Sequence, residues 1–409
     1  MDTTFGLFFQ GYPHLLQKFR SQQRDVVETN ILPFIKAIAM RGEEAAKLFF
    51  DEHKFLRQGA ARAEQSALAA AGIVPADESA FVSKDLALQV MTPESLNKLE
   101  AIFSERLNDC LDHWQTRNNI TLFHEAEKIL CIAACEWLGI PLHEQEVNLR
   151  TGQLSLLLEA EGAVGPRFFR GHTSRKRLEM WLALLTEDLR GGRLKVAGNT
   201  VFQSVAFRKG KNGVILDARA VGNELLNLIH PIVGVARHVV FAAMALKEHP
   251  EYNSKLKDNP ALYDSFVHEV RRFYPCSPMM AATVRNEFEY NGIKFNKGVL
   301  VMLDVYATNH DENAWKNPEA FYPERFDAPN DHNFSINTQT ASDTGIDHAR
   351  ASEAIAIRLT KSALRFLNEQ VQYSVPDQDL SIDMSRIPAL PQSRFKLKIE
   401  NKAAGLVAM

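Results

Sequence analysis

Cysteine is scarce in this chain, with four in 409 residues at Cys110, Cys131, Cys135 and Cys276. They are too few and too irregularly spaced for a disulfide framework, and no CxxC pair offers a zinc or redox site. An excess of one charge is missing too. The 47 basic and 50 acidic side chains give a formal charge of -3, so no overall field favours nucleic acid or an anionic membrane. The basic run "RFFRGHTSRKR" has no aromatic interleaving for single strands and reads as a solvated face. The start, "MDTTFGLFFQGYPHLLQKF", has no basic n-region. Its apolar stretch is too short and interrupted for a signal peptide or a membrane span, so a cytoplasmic protein is expected. No repeat, low-complexity tract or Pro/Gly/Ser linker divides the chain, and one domain over residues 1–409 is expected. Nor do His124, His238, His249, His268 and His310 fall at a spacing that puts two metal ligands on one helical face.

What is present is apolar periodicity. With 45% hydrophobic residues the chain can bury a substantial core. Steps of three and four residues mark helices in "GEEAAKLFFDEHKFL", "PESLNKLEAIFSERLNDCLDHWQ", "LFHEAEKILCIAACEWLGI", "SRKRLEMWLALLTEDLRGG" and "SEAIAIRLTKSALRFLNEQVQYS". Cys131 and Cys135, one turn apart in the third of these, read as core packing. The longest candidate covers residues 217–251, apolar nearly all round at its centre and so expected to cross the core, with a bend at Pro231. Strand alternation is confined to "ATVRNEFEYNGIKFNKGVLVMLDVY", with turn chemistry at "YNG" and "NKG", and to "FKLKIE". The expected fold is mainly α with a small β region.

Three groups of residues carry chemistry. Glu269 and Arg272 stand three apart in "HEVRRFYP", and Arg325 follows 53 residues later in "FYPERF". On spacing alone the first two make a surface pair of small energetic value. His230, beside Pro231, is an imidazole inside an apolar helix. It can bind ligand or act as a general base if its pKa lies near neutrality, and a core histidine satisfied by a carbonyl at the kink accounts for it equally well. Cys276, Met279 and Met280 are soft side chains able to mould an apolar pocket or to fill a core.

From about residue 40 onward the sequence resembles the fatty-acid peroxygenase class of the cytochrome P-450 superfamily. The resemblance runs through "GAVGPRFF", "LLNLIHPIV", "VFAAMALKEHPE", "EVRRFYP", "LVMLDVYATNHDENAWKNPEAFYPERF", "QYSVPDQDLSI" and "RIPALPQSRFKL". It implies a cytochrome P-450-like fold in which Glu269, Arg272 and Arg325 form a buried structural triad. It also places Cys276, Pro278, Met279, Met280 and Ala281 where the class lines its substrate channel. The class ligates haem iron through the cysteine of a GHRCPGE segment. In the matching "GIDHARASE", His348 and Glu353 keep the histidine and final glutamate, but Arg350 takes the cysteine's place, and a cation cannot be that ligand. Thr340, Ala341 and Ser342 replace loop glycines, and Ala351 and Ser352 replace the Pro-Gly. Near the haem propionates, Phe81 and Asp85 replace His and Lys contacts, while Arg57 matches another. On the distal side His230-Pro231 replaces the Arg-Pro pair whose guanidinium binds the fatty-acid carboxylate. Imidazole lacks that planar fork and carries charge only when protonated.

These readings predict no cofactor, with haem ligated by His348 as the alternative. They also predict no metal and no nucleic acid, and a hydrophobic or amphipathic small molecule with its polar end at His230. The expected function is binding or non-redox transformation of a hydrophobic or acyl small molecule. The alternatives are a haem-dependent hydroxylase or peroxygenase, and a catalytically silent paralogue acting on a protein partner. The loop over residues 335–352 is expected at the surface because its charges are costly to bury unpaired.

Overall fold

The computed structural model describes residues 11–31, 35–56, 86, 90–161, 163, 165–210, 213–276, 279–327 and 348–402. Arg57, Phe81, Asp85, Pro278 and most of the 335–352 loop, with Thr340, Ala341 and Ser342, lie outside them.

A helical body surrounds one long apolar axis. The helices are α1 Tyr12–Gln22, α2 Glu43–Phe49, α3 Pro93–Gln115, α4 Leu122–Leu138, α5 Glu144–Leu158 and α6 Pro166–Arg190, followed by α7 Val201–Ala206, α8 Ala218–Gly234 and α9 Ala236–Glu248. After these come α10 Tyr252–Asp258, α11 Leu262–Phe273, α12 Val305–Asn309 and α13 His348–Arg365. The axis is α8 and α9. Asp217 caps its start by accepting from the Arg219 N–H at 2.8 Å. Val221, Leu225, Leu226, Ile229, Ile232 and Val233 are buried along it, and α4, α5 and α6 pack around α8. By length and composition Ala218–Glu248 could cross a membrane, but 78% of its apolar window is buried inside the protein, as in a core helix.

The break in this axis falls one turn beyond the expected bend at Pro231. The Val235 N–H bonds the Ile232 carbonyl at 3.1 Å, three residues back, where a continuous α-helix would use Pro231. Another expected helix, "GEEAAKLFFDEHKFL", stops at Phe49 because the Asp51 carboxylate accepts from the His53 N–H at 2.9 Å and turns the chain. Phe55–Leu56 then form a short strand, β3.

The main sheet has the order β1-β2-β8-β5-β3, from β1 Val26–Ile31, β2 Ile35–Met40, β5 Met279–Val284 and β8 Leu300–Asp304 with β3. Among the described strand pairs only β2 and β8 run parallel, with Ala37 opposite Leu300. Between β5 and β8 lies a hairpin, β6 Phe288–Tyr290 and β7 Ile293–Phe295. Its turn is Asn291-Gly292, both at positive φ (52° and 72°), as a two-residue primed turn requires. The "FKLKIE" segment becomes β10 Lys396–Lys402, joined to β4 Ile120–Thr121 and β9 Val371–Ser374. The hairpin β1–β2 carried no alternation because both faces of β2 are buried: Ile38 and Met40 pack toward Phe49, Ala37 and Ala39 toward Phe19.

The axis is set against α6 at Gly222. A Cβ there would stand 2.6 Å from the Glu179 carbonyl oxygen and 3.1 Å from the Ala183 nitrogen, both backbone atoms. Gly222→Ala must therefore push two helices apart. The expected cost is about 1–3 kcal/mol, read by chemical denaturation. A variant as stable as the parent would show that this crossing is not tight.

Candidate functional site

The anchor of the site region is the triad. Glu269 and Arg272 are fully buried on α11 and form a two-pronged pair, with the Nε and Nη2 of Arg272 each donating to a Glu269 oxygen at 2.8 Å. The remaining guanidinium hydrogens go to the carbonyls of Asn309, Pro318 and Ala320, at 2.8, 2.9 and 3.2 Å. Arg325 brings its Nε to 3.1 Å from Glu269 Oε2 and donates to the Lys316 and Ala320 carbonyls. The Tyr322 N–H adds a 2.8 Å bond to Glu269 Oε1. The three residues thus meet in the interior and fasten α11 to the irregular segment 309–326.

His230 lies on α8, one turn before the break. Its Nε2 is 3.2 Å from Glu161 Oε1, an ion-pair distance without the alignment of a hydrogen bond. Glu161 Oε2 lies 3.9 Å from the Nη1 of Arg237, a cation only 5% exposed whose Nη2 donates to the Leu158 carbonyl. Burial lowers the His230 pKa. The Glu161 carboxylate opposes that shift, while Arg175 and Arg237 reinforce it. The net direction keeps the imidazole neutral near pH 7. Arg175 itself ties α6 to α8, pairing with Glu179 at 2.7 Å and donating to the side-chain oxygens of Asn223 and Asn227. Sequence reading missed Glu161. It sits just past α5, far from His230 along the chain, and only the fold brings the two together.

The other expected site residues divide. Pro231 lies inside α8 beside His230. Cys276 is buried, its thiol donating to the Val270 carbonyl at 3.8 Å, and burial pushes its pKa up to about 12. It is a neutral thiol. In β5, Met279 and Ala281 pack on the Leu15–Phe19 side of the sheet and Met280 on the Phe49 side, as the two-residue period of a strand dictates. The three therefore do not converge on one surface. His348 and Arg350 fall in the first turn of α13, and their side chains lie outside those described. Glu353, one turn on, pairs with the buried Arg271 at 2.8 Å and ties α13 to α11.

Residues 246–340 match the family model for cytochrome P450. The chain superposes on cytochrome P450SP alpha solved in complex with (R)-ibuprophen, with a TM-score of 0.86, 31% identity, and 98% of this chain and 99% of that one covered. The chain belongs to the cytochrome P450 family. Solved neighbours of the fatty-acid peroxygenase class include cytochrome P450EX alpha with myristic acid, at a TM-score of 0.85 and 29% identity over 98% and 97% of the two chains. Cytochrome P450 3A13 of Mus musculus is 22% identical over 213 residues, 47% of this chain and 42% of that protein.

Family membership corrects one expectation. Cytochromes P450 are haem proteins, so the reading of no cofactor is overturned by the match to them, and haem is the cofactor of this family. Of the expected site residues, the buried Cys276 is a neutral thiol, and the side chains of His348 and Arg350, where the resemblance puts the ligand segment, lie outside those described.

Removing the guanidinium of Arg272 would leave the Glu269 carboxylate buried without its main partner. Arg272→Ala is expected to lose about 3–5 kcal/mol of stability, measured by urea or thermal unfolding. Unchanged melting in a soluble variant would contradict the anchoring role.

Proposed function

We propose that this cytochrome P450 binds a hydrophobic or acyl small molecule with its polar end at His230 and transforms it by non-redox proton transfer in the cytoplasm. The observation that carries the reading is the 3.2 Å approach of His230 and Glu161. A neutral imidazole beside a carboxylate is a candidate general base whose protonated form the carboxylate would stabilise. Glu161 also alters which headgroup is welcome. Solved neighbours are named with (R)-ibuprophen and myristic acid, both carboxylic acids. In this chain a carboxylate head near His230 would meet the Glu161 carboxylate and, at neutral pH, no imidazolium, while the nearby cations Arg237 and Arg175 already face Glu161 and Glu179. A neutral head such as an ester, amide or alcohol avoids that repulsion, so an acyl derivative suits the pair better than a free acid.

The test compares myristyl alcohol with myristic acid at pH 8 by the rise in melting temperature that binding produces. The alcohol should stabilise the parent more. Glu161→Gln should narrow the difference, and His230→Ala should weaken the alcohol. Because the His230 pKa lies below the ordinary 6.5, the acid should gain affinity only as the pH falls below that value and the imidazole charges. Equal binding of the two ligands at pH 8, or full retention of alcohol binding in His230→Ala, would sink the proposal.

A further inference from the structure

Away from His230, a cleft of about 630 Å³ opens between α4, α5, the first turns of α6 and the C-terminal segment around residues 386–394. Its volume lies in the range of small-molecule sites. Six cations line it: Arg117, Lys128, Arg167, Arg170, Arg386 and Arg394. Three of them are committed. Arg117 pairs with Glu125 at 2.6 Å, and Arg386 and Arg394 share Glu159. Arg394 also approaches His124 at 3.2 Å. Among the described residues Lys128, Arg167 and Arg170 have no ion pair, and the half-buried Arg167 holds its Nη1 out of solvent with no hydrogen-bond partner. Lys128 and Arg167 are partly buried and Arg170 is exposed, and at Arg167 the repulsion of Arg386 is set against the attraction of Glu159 and Asp383. An anion in the cleft would give the unpartnered Arg167 nitrogen an acceptor and relieve the repulsion among the cations.

The floor adds a second observation. Glu127 lines the cleft, is only 2% exposed, and its Oε1 has no hydrogen-bond partner among the described residues. Burial pushes its carboxyl up to about 7, with Glu159 adding to the rise and Ser155, Arg237 and Arg394 opposing it. At neutral pH that group is partly protonated and can donate to an oxyanion instead of repelling it. Gly152 leaves one wall open, with no atom within 4 Å of the position a Cβ would take.

We propose that this cleft binds a small phosphorylated molecule, its phosphate oxygens held by Arg167, Arg170 and Lys128 over the Glu127 carboxyl. Guanidinium groups suit the multiple oxygens of a phosphate, and three uncommitted cations match the charge of a phosphate group better than that of a single carboxylate. The site is separate from His230 and does not depend on the reading given to that residue.

Isothermal titration of the full chain with pyrophosphate and with glycerol 3-phosphate tests it. Saturable binding of one equivalent is expected for at least one of the two. Preference for glycerol 3-phosphate would identify an ester as the natural form, and preference for pyrophosphate an oligophosphate. Arg167→Gln combined with Arg170→Gln should weaken binding at least about ten-fold, while Glu127→Gln, which keeps a buried donor, should stay within about three-fold. Gly152→Phe places a ring in the open wall of α5 and should abolish binding with melting unchanged, which separates occlusion from misfolding. No saturable binding up to about 10 mM of either probe, or equal affinity in Gly152→Phe, overturns the proposal.

Discussion

The ion pair between Glu269 and Arg272 is the constraint on which the rest of the architecture turns. Two full charges with no exposure to water are tolerable only because every hydrogen of the guanidinium and both carboxylate oxygens find partners. Those partners are carbonyls and an N–H of a segment with little regular structure of its own. The pair therefore does for residues 309–326 what a hydrogen-bond ladder does for a sheet. It gives an irregular stretch one conformation and presents Arg325 and the 3₁₀ turn Pro323–Phe326 to α11.

Much of this was legible in the chain. Long helices announced themselves because burial on one side imposes a 3.6-residue period over many turns, and α3, α4 and α6 fall where that period runs. Asn291-Gly292 gave away its hairpin because few residues accept two successive positive φ values. The triad needed more than spacing. Glu269 and Arg272 would look the same on a solvated helix, and only the surrounding motifs placed them inside.

What stayed hidden depends on distance along the chain or on symmetry of burial. β2 has apolar residues on both faces, which erases alternation. Glu161 reaches His230 only after α5, α6 and α8 have packed. The run "RFFRGHTSRKR" was read as a solvated face, and its members in fact separate: Arg167 and Arg170 enter a cleft, whereas Arg175 is absorbed by Glu179, Asn223 and Asn227. Charge composition alone cannot tell these fates apart, because each is decided by neighbours from other helices.

α6 links regions that chemistry alone would treat separately. Arg170, in the cleft, and Arg175, fastened to α8 beside His230, are five residues apart on one continuous helix, about 7–8 Å along its axis. Gly222 removes the slack where α6 crosses α8, since backbone there meets backbone with no side chain between. A rod pinned in this way cannot slide at one end alone. A shift of α6 as a whole would therefore be felt both in the cleft and at Asn223 and Asn227, so the two regions share one supporting element.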